Sequence, residues 1–180
     1  TGLRGAILVA ALFLTVAWAA CNWGFAASQQ RIVFGIANLV DVLRGLGWQV
    51  FLLFLLRQPV AQGEIPTFDR LWPVSFVFGA IAFGAQLLPA MGFPLPGDAG
   101  RLSLFGSLAL AIFGLVLIEQ IWRNTPEDSR WSAKPLCLGL AAISIFDIYH
   151  FGDALLFSQL DPDLWAARGF VYLMVAPVLA

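Results

Sequence analysis

The chain has 180 residues, of which 60% are apolar and only 12% charged, and its mean hydropathy is +0.84. A water-soluble domain carries about a quarter charged residues, so this chain has too little polar surface to face water. Its net charge of −1 supplies no basic face of the kind that neutralises phosphates, which speaks against a nucleic-acid partner.

A bilayer core of ~30 Å needs about 20 helical residues, and lipid tolerates no unpaired backbone, so each long apolar run reads as a transmembrane helix. The first span is Gly5 to Phe25. Arg4, the apolar run and Ala19-Ala20-Cys21 imitate a lipoprotein signal peptide, but Trp18 is bulky for a cleavage site and the rest of the chain itself reads as membrane-embedded. The second span, Ile32 to Leu56, carries Asp41 and Arg44 three residues apart, hence on one helical face and able to pair, either as a self-neutralised pair that helps pack the bundle or in a sensing or gating role. The third span is Leu71 to Met91, where Ala80 and Gly84 have the small-xxx-small spacing that permits close helix approach. Between Pro89 and Arg101 three prolines and three glycines predict an irregular connection.

The fourth span, Leu102 to Trp122, closes on an interfacial collar of Glu119, Gln120 and Arg123. Thr125, Pro126, Glu127 and Asp128 then follow as cap residue, first-turn proline and first-turn acids, which predicts a new helix beginning outside the membrane. The fifth span, Pro135 to Phe157, holds Asp147, Tyr149, His150 and Asp153. Steps of three residues place Asp147, His150 and Asp153 along one stripe. Ionisable groups in lipid cost ~2.5–3.5 kcal/mol each, so they must meet protein partners or water. Three roles stay open for this stripe: a buried hydrogen-bond network, proton or ligand sensing by a histidine flanked by carboxylates, and metal binding, for which few further ligands are available. The sixth span begins at Leu164 after Asp161-Pro162-Asp163, a second cap-proline-acid start, and both Thr1 and the apolar Met174 to Ala180 read as cut ends of a longer protein.

The expected architecture is therefore an all-α bundle of six spans, residues 1–180 forming one membrane-embedded region without a soluble catalytic domain. Trp23, Trp72, Trp122, Trp131 and Trp165 fall near span ends, where indole favours the headgroup layer. One set of alternate connections holds Arg4, Arg57, Arg70, Arg123, Arg130 and Lys134; the other holds Arg31, Arg101 and Arg168. The richer set should be cytoplasmic, which puts the segment before Gly5 inside. Cys21 and Cys137 then lie near opposite faces and act as small packing residues. No phosphate loop, HExxH or GxSxG motif is present, and His150 lies too deep in an apolar run to accept a phosphoryl group.

The stretch Glu119-Gln120-Ile121-Trp122-Arg123-Asn124-Thr125-Pro126, with Arg130-Trp131, Lys134 and Leu136-Cys137-Leu138-Gly139, resembles the membrane-embedded N-terminal region of the PEP-CTERM-system histidine kinase family PrsK. The similarity runs on through Asp147, Tyr149, Asp153-Ala154-Leu155-Leu156-Phe157 and Leu160-Asp161-Pro162-Asp163-Leu164-Trp165-Ala166-Ala167-Arg168-Gly169, roughly the last third of the chain. Earlier residues resemble it mainly in span pattern, with Trp18 and Val42-Leu43-Arg44 as weaker matches and Asp41 where the family tends to have Glu. The resemblance implies the input region of a two-component sensor kinase in the bacterial inner membrane. It implies a homodimer, a kinase core beyond Ala180 that alone would use ATP and Mg, a response-regulator partner, and control of PEP-CTERM and exopolysaccharide functions. No cofactor is expected in this chain. The competing expectation is a transporter or channel fragment, whose charges would line a path; an intramembrane enzyme would need catalytic groups on several spans.

Overall fold

The computed structural model describes residues 2–56, 67–93 and 97–179. Among them are six α-helices and no strand: α1 (Leu3–Ser28), α2 (Arg31–Leu56), α3 (Thr67–Ala90), α4 (Ala99–Asn124), α5 (Glu127–Phe157) and α6 (Pro162–Leu179). The helices end where local chemistry breaks the ladder. Gln29 turns left-handed at φ 53° and its N–H closes on the Phe25 carbonyl at 2.8 Å, and Ser158 takes the same conformation after α5. Asp98 caps α4 by accepting from the N–H groups of Gly100 and Arg101 at 2.9 and 3.2 Å. Asp161 caps α6 in the same way, at 2.8 Å from Asp163, with Pro162 in the first helical position.

One expected cap is corrected. Thr125 does not cap α5; its hydroxyl donates to the Ile121 carbonyl at 2.6 Å and so finishes α4, leaving Pro126 ahead of α5 with no side-chain bond. The helix expected to begin outside the membrane does so at Glu127 and runs on through the fifth span as one helix of 31 residues with Pro135 inside it. At 1.5 Å per residue it is roughly 46 Å long, so its first turns, with Glu127, Asp128, Arg130, Trp131 and Lys134, extend beyond a hydrocarbon core of ~30 Å. Pro89 and Arg101 both belong to helices, which narrows the irregular connection to 91–98; its residues 94–96, like Arg57 in the preceding connection, lie outside the described residues.

Among the described residues five helices are long and apolar enough to cross a membrane: Leu3–Ser28, Arg31–Leu56, Leu71–Ala90, Ala99–Asn124 and Arg130–Phe157. Helix α6 is not among them; its 18 residues include Asp163 and Arg168. Phe13, Val16, Phe76, Phe105, Leu156 and Phe170 are largely exposed, an outer surface suited to hydrocarbon and unsuited to water. Trp23, Trp72, Trp122 and Trp131 are exposed as well, whereas Trp165 turns inward and its ring lies 5.5 Å from that of Phe34.

Consecutive helices pack on one another, and α2 also packs on α4. The larger core gathers Trp48, Leu53, Phe113, Leu117, Cys137 and Leu140 from α2, α4 and α5 around Ala11 of α1. Both cysteines are free thiols, Cys21 half-buried and Cys137 in this core. Glu119 and Arg123 pair at 3.5 Å on the exposed end of α4. Helices α3 and α4 approach closely at Ala82 and Gly106, where a methyl added to Gly106 would lie 2.7 Å from the Ala82 amide nitrogen. Ala80 and Gly84 do not make this approach: Ala80 is exposed, and the space beside Gly84 meets only Leu88 of its own helix.

Candidate functional site

Three helices bring a set of ionic side chains together in the interior. On α2, Arg44 donates from Nε to Oδ1 of Asp41 at 3.0 Å, the local pairing that a spacing of three predicts. Helix α6 supplies a second cation. Arg168 donates from Nε to Oδ1 of Asp147 at 2.7 Å, from Nη2 to Asp41 at 3.2 Å, and from Nη1 to the other Asp41 oxygen. One turn later Tyr172 donates its hydroxyl to Oδ2 of Asp147 at 2.8 Å. Arg44 Nη2 also approaches that oxygen, at 3.7 Å. Two arginines face two aspartates, so the cluster is formally neutral, as groups withdrawn from water require.

Aromatic faces complete the enclosure. The Arg44 guanidinium lies 4.5 Å from the Trp18 ring centroid and 4.2 Å from that of Tyr172. Arg168 lies 4.9 Å from Phe151 and 5.2 Å from Trp18. Desolvated cation–π contacts of this kind contribute about 2 kcal/mol where water is excluded. Helix α1 therefore enters the site through Trp18, and α5 through Asp147 and Phe151.

Arg168, expected among the charges of a connection, is instead 1% exposed, on a helix that starts six residues earlier at Pro162. The available signal was its spacing of four from Tyr172 inside an apolar run, which puts both on one face. The expected stripe on α5 is divided. Asp147 joins the cluster, but both its oxygens are held by Arg168 and Tyr172 rather than turned to His150. His150 is 1% exposed, its ring beside Phe151 and Trp165, and neither ring nitrogen has a hydrogen-bond partner among the described residues. Asp153 is half-buried outside the cluster, and Tyr149 is exposed on the outer surface of α5. Among the described residues no three His, Cys, Asp or Glu side chains converge as metal ligands.

Two cavities adjoin the cluster. The outer one, about 690 Å³, lies between the start of α2, the end of α3, the start of α4 and the start of α6, with Phe34, Leu39, Gln86 and Trp165 in its walls and Asp41 in its lining. The inner one, about 80 Å³, lies among α2, α4 and α5 and is lined by Arg44, Gln49, Ser144, Asp147, Arg168 and Tyr172. Asp41, Ser107 and Phe151 line both, so the two cavities adjoin at these residues. The inner cavity also meets Trp48, Leu52, Ile118 and Leu140, which belong to the apolar core.

Removing only the phenol hydroxyl probes how strongly Asp147 depends on Tyr172. Tyr172→Phe is expected to cost about 1–3 kcal/mol, since it leaves a buried carboxylate oxygen with a weaker set of partners. Unfolding by denaturing detergent in mixed micelles measures this, and a variant as stable as the parent would show that the bond contributes nothing. No family model, curated protein or solved structure matches the chain.

Proposed function

We propose that this chain is the membrane-embedded signal-input region of a PrsK-like sensor histidine kinase, with six spans and its first residues on the cytoplasmic side of a bacterial inner membrane. The observation that carries the reading is the grip of Arg168 on both Asp41 and Asp147, which makes the placement of α6 depend on α2 and α5 through one polar latch. A stimulus that alters this latch moves α6, and α6 leads toward the kinase core that the reading places beyond Ala180. ATP, Mg and the response regulator would engage that core, and dimerisation of the parent protein would bring two cores together.

Orientation follows from the basic residues. With Arg168 buried in α6, the poorer set of connections keeps only Arg31 and Arg101, against Arg4, Arg57, Arg70, Arg123, Arg130 and Lys134 in the other. The outer cavity, at the start of α2 and α4, then lies toward the side away from the cytoplasm. Access from one face suits reception. Transport would require a polar route onward, and the inner cavity instead meets the apolar side chains of Leu52, Ile118 and Leu140.

The test is the longer protein. Recovered with the residues after Ala180 and placed in nanodiscs with ATP and Mg, it should autophosphorylate, and Asp147→Asn should flatten the signalling response of a reporter strain while leaving membrane insertion intact. Absence of a phosphoacceptor histidine and an ATP-binding region after Ala180 would end the kinase reading, and solute uptake into vesicles would replace it with transport.

A further inference from the structure

We propose that the two adjoining cavities open into one another beside Ser107 and together bind an amphipathic molecule with an uncharged hydroxyl head and an apolar tail, the head seated beside Gln49 in the inner cavity and the tail in the outer one. This names the ligand class for the proposed input region and takes its physiological sense from that reading, whereas the binding itself requires no kinase.

The shape sets the first constraint. The outer cavity, about 690 Å³, falls within the ~300–1,000 Å³ of ordinary small-molecule sites, and its walls are mostly apolar, including Ile32, Phe34, Leu39, Leu104 and Trp165. The inner cavity, about 80 Å³, has room only for a small head, and its lining is where the polar groups concentrate. A molecule that fills both is therefore apolar over most of its length and polar at one end.

Charge sets the second constraint. The two arginines and two aspartates beside the inner cavity are already matched by one another. An ammonium or carboxylate head would bring an unmatched charge into a site shielded from water, at a desolvation cost the cluster has no spare ion to offset.

Hydrogen bonding sets the third. Gln49 is 3% exposed, and its Nε2 donates to the Leu110 carbonyl at 2.7 Å, which fixes the amide so that Oε1 is an acceptor without a partner. A buried acceptor left unpaired calls for a donor, and a hydroxyl supplies one from a neutral group. An ether or ester of the same length offers only acceptors and leaves Gln49 unpaired.

The chain in phospholipid nanodiscs, photolabelled with a diazirine-bearing long-chain alcohol, tests this by competition. Dodecanol, representing linear alcohols, and farnesol, representing isoprenoid ones, should protect about tenfold better than dodecyl methyl ether, dodecanoate or dodecylammonium, with the label recovered in peptides of α2 and α4. The better of the two alcohols identifies the source of the ligand. Gln49→Met should abolish the preference for alcohol over ether, and Ser107→Leu, which narrows the junction of the cavities from α4, should reduce labelling of the inner peptides several-fold. Size exclusion in detergent checks that each variant stays folded, and Ser107→Leu carries the test alone if Gln49→Met does not. Equal protection by the ether or by either charged homologue, or label confined to the outer surface, overturns the proposal. If labelling fails while Asp147→Asn still flattens the reporter response, the ligand class is wrong and the input reading stands; specific labelling without kinase activity in the longer protein gives the reverse.

Discussion

Replacing Arg168 with Met is expected to destabilise the bundle by about 3–5 kcal/mol, the usual consequence of deleting one partner from a buried ion cluster. The side chain is fully enclosed and holds both aspartates, so its loss leaves Asp41 and Asp147 to share Arg44. The result should appear as a large fall in the midpoint of unfolding in mixed micelles and as poor accumulation in membranes. A second substitution distinguishes uncompensated charge from lost packing. Arg168→Met together with Asp147→Leu leaves the Asp41–Arg44 pair, which is neutral by itself, and should recover at least half of the loss. Stability within about 1 kcal/mol of the parent for Arg168→Met alone would mean that the latch contributes little to holding α6.

The second large effect is expected where no charge is involved. Gly106→Val should cost about 1–3 kcal/mol or more, because the first added carbon would lie 2.7 Å from the backbone nitrogen of Ala82 and 2.9 Å from its Cα. Backbone atoms cannot rotate aside as a side-chain tip can, so relief requires α3 and α4 to separate. Separation would also disturb the bond from Gln86 Nε2 to Ser103 Oγ, 2.8 Å long, which ties the same two helices. Gly84→Val is the matched control: the space beside Gly84 holds nothing nearer than Leu88 at 4.0 Å, so its cost should stay within ~0.5 kcal/mol. Equal losses from the two substitutions would place the close approach elsewhere.

Local features were legible in the sequence because they are governed by near neighbours. The apolar runs located all six helices, the Asp161-Pro162 start was recognised at α6, and the spacing of Asp41 and Arg44 announced their pairing. Thr125 misled for a local reason too, since a hydroxyl between two helices can finish one as readily as it starts the next.

What the sequence determined by itself was that this chain is helical, that lipid suits its outer surface, and that ionic groups on α2 and α5 need partners. Only the tertiary structure decided which partners: Arg168 meets Asp41 across 127 positions of sequence, Trp18 closes over both arginines, and Gly106 rather than Gly84 admits a neighbouring backbone. In a water-soluble helix the apolar stripe marks the buried face. Here lipid and protein interior are equally apolar, so periodicity carries little record of which face turns inward, and helix rotation is set by a few polar and small residues whose partners lie far along the chain.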